Sequence, residues 1–320
     1  MSEKRPIIIL TGPTAVGKTE LSIQLAKACN GEIISADSMQ VYRQMDIGTA
    51  KIKPEEMCGV PHYMIDEFEP DEEFNVFVFQ KKVKEYMEQI YAAGKIPILV
   101  GGTGFYIQAI IYDIIFTENQ GDTEYRQYLQ KEAEEKGVFY LHEELKKVDP
   151  EYAASLHPNN VKRVIRALEY YHFTGEKFSV HNERESQRES PYNVAYFVLT
   201  MERETLYKRI EQRVDFMVEE GLYDEVKQLL DKGYSQDLVS MQGLGYKELV
   251  PVVQGEKSLE DAVYELKRDT RHFAKRQMTW FRREQDVIYI HKDNYDSADA
   301  LLEACLVELD KKGIKNGGAE

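Results

Sequence analysis

One segment near the start of this chain constrains its fold more than any other: Gly12, Pro13, Thr14, Ala15, Val16, Gly17, Lys18 and Thr19 follow the apolar residues 7–10 and open a helix-like stretch. Glycine, four residues, glycine, lysine, threonine is the pattern of a phosphate-binding loop, whose glycines let successive backbone N–H groups converge on phosphate oxygens. Lys18 adds a mobile positive charge, Thr19 offers a hydroxyl to Mg²⁺, and the following helix turns its positive end to the same point. A plain glycine-rich turn would need neither Lys18 nor Thr19. The loop predicts a strand, a turn and a helix that binds a polyphosphate. It does not say which one, because kinases, motor ATPases, switches and transferases all use such loops.

The rest of the first third supports an α/β fold. Residues 7–10, 32–36 and 96–100 read as short buried strands, separated by helical stretches at 18–29 and 75–93. This is the rhythm of an open parallel sheet flanked by helices, of the P-loop kinase-like kind, in which ligands bind beyond the carboxyl ends of the strands. Three segments fall at such ends: the loop, Asp37-Ser38-Met39-Gln40, and Gly101-Gly102-Thr103-Gly104.

From 117 to 192 the strand rhythm stops, and the segment reads as an all-helical insertion. Val161, Val164, Ile165, Leu168 and Tyr171 recur there at helical spacing, flanked by Lys162, Arg163 and Arg166. Residues 183–190, rich in charge and serine, read as an exposed linker. A strand at 193–200 restores the core, which is therefore discontinuous: 1–116 and 193–320. Helices are expected at 202–220 and 222–232, and a capping box at Ser258–Asp261 opens a long helix to about residue 283. A last strand at 287–290 and a disordered tail from 312 complete the reading.

The formal net charge of −15 argues against general attraction to nucleic acid or anionic membrane, so any RNA contact must use local basic patches. The polar start and the shortness of the apolar run behind it exclude a secretory signal. The longest uncharged stretch, between Lys95 and Asp113, is interrupted by Gly101, Gly102, Thr103, Gly104 and Gln108, which suits a buried strand, turn and helix better than a membrane span. Cys29, Cys58 and Cys305 form no Cys-x-x-Cys pair, which argues against a zinc site or a disulfide framework. A cytoplasmic protein is expected.

Several residues carry alternatives. Asp37, just past a buried strand, either caps a short helix or acts chemically, holding Mg²⁺ through water or taking a proton from a nucleophile. Gly101 to Gly104 is either a tight turn or a platform that presents the Thr103 hydroxyl to substrate. Arg268, Arg271, His272, Phe273, Lys275, Arg276, Trp280, Phe281, Arg282 and Arg283 alternate cations with aromatic rings, a mixture suited to phosphates and unstacked bases. Arg209 and Arg213 share a helix face and serve either surface ion pairs or a polyphosphate. The segment from Gln242 through Gly243 to Lys247 reads as a flexible loop able to touch backbone phosphates. His62 has no partners at metal spacing and reads as structural.

Taken together, the chain resembles the tRNA dimethylallyltransferases, also called tRNA isopentenyltransferases, of bacterial type. The resemblance rests on Gly12 to Thr19, Ala36-Asp-Ser-Met-Gln-Val-Tyr-Arg43, Gly48-Thr-Ala-Lys51, Pro61-His-Tyr-Met-Ile-Asp66, Gly101-Gly-Thr-Gly-Phe-Tyr106, Arg166-Ala-Leu-Glu169, Gln242-Gly-Leu-Gly-Tyr246 and Arg276-Gln-Met-Thr-Trp-Phe-Arg282, in family order. It implies transfer of a dimethylallyl group from dimethylallyl diphosphate to the exocyclic amine of the adenine 3′ to the anticodon. It assigns the loop amides and Lys18 to the diphosphate, Thr19 to Mg²⁺, Arg213 as a further cation, and Asp37 as general base. Thr103 is implied to orient the amine or the diphosphate, and Ser38, Met39 and Gln40 to meet the base. The anticodon stem-loop is implied to be held by Asn159, Asn160, Lys162, Arg163 and Arg166 on the insertion. Gly243, Lys247, Lys275, Arg276, Trp280, Arg282 and Arg283 are implied to hold it from the core. The loop, taken alone an ATP site, is thereby reassigned to an isoprenoid donor. A monomer suffices for this arrangement. The rivals are an adenylate isopentenyltransferase, which would need neither insertion nor basic helix, a small-molecule kinase, for which no lid signature is seen, and an RNA-binding NTPase, which leaves Asp37 and Thr103 without a task.

Overall fold

The computed structural model describes residues 4–116 and 123–314, except the side chains of Thr123 and Ser186. Strand β1 (Pro6–Thr11) runs through the phosphate loop into α1 (Lys18–Ala28), succeeded by β2 (Gly31–Ser35), β3 (His62–Tyr63), α2 (Val76–Ala92), β4 (Ile96–Gly101) and α3 (Gly104–Ile111). Then come α4 (Thr123–Lys136), α5 (Val138–Val148), α6 (Pro150–Ser155), α7 (Val161–Thr174) and α8 (Phe178–Ser186), with no strand between them. The chain returns through β5 (Asn193–Thr200), α9 (Arg203–Glu219), α10 (Leu222–Asp231), α11 (Tyr246–Val253), α12 (Leu259–Phe281), β6 (Val287–His291) and α13 (Ala298–Lys311).

The six strands form one parallel sheet in the order β3-β2-β4-β1-β5-β6, the α/β fold expected. β1 is a run of isoleucines buried on both faces rather than an alternating strand, as a central parallel strand must be. Register sets which residues leave the sheet together. Thr11 pairs with Gly101 on one side and Val198 on the other, and Ser35 pairs with Val100. The residues leaving β2, β4 and β1 therefore emerge side by side at one sheet edge.

The chain divides into two compact units, Met1–Ile111 with Ser190–Glu320, and Tyr112–Glu189. The expected start of the insertion at 117 lies outside the described residues. The first unit is built on the sheet and α1, with Leu10, Val16, Leu25, Phe197 and Leu199 in its core. The second has a separate apolar core of Leu129, Leu141, Leu145, Val164, Ile165 and Leu168. Arg126 grips the buried Glu169 with two bonds of 2.8 Å, and Asp149 ties the start of α6 to Ser179 of α8.

Three stretches differ from expectation. Residues 183–190 are not simply a linker, because α8 continues to Ser186 and its charges are used in pairing: Arg184 with Glu176 at 2.7 Å, and Arg188 with the Asp113 carbonyl at 2.6 Å. The stretch before α11 is not flexible: Tyr246 is fully buried and donates its hydroxyl to Glu225 at 2.6 Å. Glu225 also accepts the backbone N–H groups of Asp46, Ile47 and Gly48, so one carboxylate locks two loops together. Finally, Leu301, Cys305 and Leu309 form the buried stripe of α13, a helix absent from the expected elements although its spacing is helical. The disordered tail expected from 312 does not hold for residues 312–314, since Ile314 is buried; residues 315–320 lie outside the described residues.

Among the described residues no helix is long and apolar enough to cross a membrane. The three cysteines are free, Cys29 and Cys305 buried and Cys58 exposed.

Candidate functional site

Geometry dictates the loop's glycines. A Cβ on Gly12 would lie 2.3 Å from the Leu199 carbonyl of β5, and Gly17 caps α1 at φ +98°, a left-handed conformation that disfavours other residues. Because Gly17 has no side chain, α1 begins without a side-chain cap. By contrast, α2 is capped by Asn75 and α12 by Ser258. The first amides of α1 are thus left to bind a ligand anion, with the helix dipole behind them.

Lys18 donates to the carbonyls of Gly12 and Pro13, each at 2.9 Å, which leaves one of its three N–H donors for a phosphate oxygen. Burial pushes its pKa down to about 7, Arg213 pushes in the same direction, and Asp37 opposes them. Burial likewise lowers Arg213, against the pull of Asp37 and with a push from Arg209. Arg209 donates its Nε to the Ala15 carbonyl at 2.8 Å and so braces the loop from outside. Thr19 is exposed at the first turn of α1.

Of the readings offered for Asp37, the structure displays the local cap, here on a turn and not on a helix. Its Oδ1 accepts the N–H of Met39 at 2.9 Å and of Gln40 at 3.4 Å, a local cap. Its Oδ2 has no hydrogen-bond partner among the described residues and stays available to a proton. Thr103 leaves β4 beside it: its N–H donates to the Ala36 carbonyl at 3.3 Å, while its own carbonyl accepts from Tyr106 and Ile107 to start α3. The two loops touch because a Cβ on Gly101 would sit 2.2 Å from the Ala36 oxygen, a gap that admits only glycine.

Gln40 departs from the role implied for it. Its amide nitrogen donates to the Thr49 and Ala50 carbonyls, and its oxygen accepts from Ser35, so the side chain holds a loop instead of projecting toward a base. The Met39 sulfur rests 3.4 Å from where a Cβ on Gly243 would be. Ser38 stays half-buried, and no hydrogen bond involves its hydroxyl among the described residues.

Gln277, buried in α12, is the residue that sequence reasoning missed. Its Oε1 accepts the Thr14 N–H at 2.9 Å and its Nε2 donates to the Gly102 carbonyl at 3.0 Å. One amide therefore joins the phosphate loop to the Thr103 loop. Gly102 and Gly104 make room for this: their Cβ atoms would lie 2.1 Å from the Gln277 amide nitrogen and 2.2 Å from the Trp280 ring. Trp280 thus packs on Gly104 and edge-on to Phe105.

The basic block on α12 splits in two. Lys267, Arg268 and Arg271 are neutralised by Asp215, Asp269 and Glu211. Lys275, Arg276, Arg282 and Arg283 are exposed and form no ion pair among the described residues. Lys247 is 3.6 Å from the buried Glu248. In the second unit Lys162 and Arg163 are exposed and Arg166 half-buried, again without ion pairs, and Asn159 and Asn160 precede them at the exposed start of α7. His62 is structural, held at 2.8 Å from the Val60 carbonyl.

Known proteins resemble this chain over nearly its whole length. Residues 40–284 match the IPP transferase family. The tRNA dimethylallyltransferase of Lachnoclostridium phytofermentans is 60% identical over 310 residues, covering 97% of this chain and 99% of that protein. Among solved structures, the full-length tRNA isopentenylpyrophosphate transferase of Bacillus halodurans is 45% identical with a TM-score of 0.73, over 97% of this chain and 98% of its own. A eukaryotic dimethylallyltransferase acting on tRNA is 30% identical with a TM-score of 0.82, over 97% of this chain and 80% of that one.

Proposed function

The chain belongs to the IPP transferase family, the tRNA dimethylallyltransferases, and on that footing we propose how its sheet edge transfers a dimethylallyl group from dimethylallyl diphosphate to the exocyclic amine of the adenine 3′ to the tRNA anticodon. The observation that carries the mechanism is the free Oδ2 of Asp37 beside an anion cradle built from uncapped helix amides, Lys18 and Arg213. The adenine amine forms a bond to the allylic carbon as the carbon–oxygen bond to the diphosphate breaks, and the electron pair leaves with the diphosphate. Asp37 Oδ2 takes the proton that the amine sheds. Lys18, Arg213 and the loop amides stabilise the departing anion. Thr103, whose hydroxyl has no partner among the described residues, orients the amine, and Ser38 meets the base.

The donor set suits Mg²⁺ in its usual mode with phosphates. No cluster of three acidic, histidine or cysteine side chains stands ready among the described residues, and Mg²⁺ commonly takes one protein oxygen with phosphates and water. Thr19 is the oxygen we assign to it. When bound, the ion would neutralise charge on the diphosphate. The target adenine must be flipped out of its stack to reach this edge. The unpaired cations of α12 and of α7 are the groups we assign to the stem-loop phosphates.

Incubation with labelled dimethylallyl diphosphate, Mg²⁺ and either total tRNA or AMP tests the reading. Label is expected in tRNA; label only in AMP overturns the acceptor. In the same assay Asp37→Asn should lose transfer by about 100-fold or more, the scale of general-base catalysis, with tRNA affinity retained. Wild-type turnover in that variant would remove Asp37 from the mechanism.

A further inference from the structure

Lys292 stands outside every motif of the sequence, in the short turn after β6. Its Nζ nevertheless lies 2.9 Å from the point a Cβ on Gly17 would occupy, with Arg209 Nη2 3.7 Å from the same point. The ammonium is half-buried and has neither hydrogen bond nor ion pair among the described residues. It borders a cavity of about 290 Å³ that Gly17, Gln24 and Tyr295 also line. Glu20 and Asp296 line the same cavity without coming within ion-pairing distance of Lys292.

Such a placement is unfavourable by itself. The positive end of α1 repels a cation, and partial burial removes water that would screen it. Lys18, Arg209, Arg213 and Lys292 gather around one loop, and Asp37 is the carboxylate that acts on Lys18 and Arg213. An anion larger than one phosphate balances that set.

We propose that Lys292 binds the terminal phosphate of the diphosphate. This rests on the reading that the loop holds the isoprenoid diphosphate. Strand order gives the direction: Asp37 and Thr103 follow β2 and β4 on one side of β1, whereas Lys292 follows β6 on the other. The reacting carbon and its bridging oxygen therefore face Asp37, and the terminal phosphate faces Lys292. Because the contact is made alike to donor and to released diphosphate, it acts on binding more than on the chemical step.

The test uses the full chain with tRNA and compares Lys292→Gln and Lys292→Arg with the wild type. Losing one charge-assisted contact should raise KM for dimethylallyl diphosphate and the inhibition constant of inorganic pyrophosphate about tenfold in Lys292→Gln. kcat and the melting temperature should stay near wild type, inhibition by dimethylallyl monophosphate should not change, and Lys292→Arg should recover most of the loss. Unchanged KM and pyrophosphate inhibition in Lys292→Gln overturn the assignment, as does an arginine variant no better than glutamine. A wild type unable to use dimethylallyl diphosphate would instead defeat the functional reading on which the assignment rests.

Discussion

Lys18 holds a proton that the folded protein binds weakly and that a diphosphate would make it keep. Burial and the neighbouring Arg213 bring its pKa to about 7, well below the ordinary lysine value of 10.5. The unfolded chain therefore binds this proton up to a higher pH than the folded one, so the cost to stability is full below about pH 7 and is relieved as pH rises toward 10.5. An anion in the loop reverses the balance by favouring the charged form. At about pH 8.5, dimethylallyl diphosphate binding should take up more protons in the wild type than in Lys18→Arg, whose guanidinium never loses its proton. Calorimetry in two buffers of different ionisation enthalpy measures the difference, and equal uptake by both would refute it. Lys18, Asp37 and Thr103 are legible from sequence because each belongs to a short pattern beside a strand. Lys292 and Gln40 are not, since their surroundings come from chain far away or from a competing local loop.

At the level of elements, the site is a joint between loops and one helix. Gln277 connects Gly102 to Thr14, which lies 263 residues before it in sequence, and no pattern within α12 distinguishes it from the cations around it. From sequence the glycines at 101, 102 and 104 read as a tight turn or as a platform for Thr103, with no sign of what each one adjoins. The structure gives each a separate neighbour: the end of β2, the Gln277 amide and the Trp280 ring. Gln277→Leu strands a buried N–H and a carbonyl, which should cost about 1–3 kcal/mol. It should also raise KM for the donor by loosening the phosphate loop. Chemical denaturation and steady-state kinetics on the same preparation check both effects, and an unaltered KM would show that the loop holds its shape without the bridge. The amphipathic α13 was legible in principle, from Leu301, Cys305 and Leu309, whereas the rigidity before α11 depends on Glu225, which sequence spacing does not reveal.

Across the whole molecule, a chain of net charge −15 must bind a polyanion through a few uncompensated cations. Affinity for tRNA should therefore fall steeply with salt, and removing Arg276 and Arg282 together should reduce the log–log slope by about 2. Filter binding across a salt series measures this, and a slope that stays put would locate the RNA contact elsewhere. The parallel sheet was readable from strand rhythm, and the helical stretch from its loss, but the exact seams were not, because they depend on contacts and not on composition. The second unit leaves the sheet after α3 and rejoins it before β5, has its own apolar core, and carries an Arg188–Asp113 bond near its two ends. A segment so bounded can be gained, lengthened or exchanged over descent without reordering a single strand, which leaves acceptor recognition free to diverge while the transfer chemistry is inherited intact.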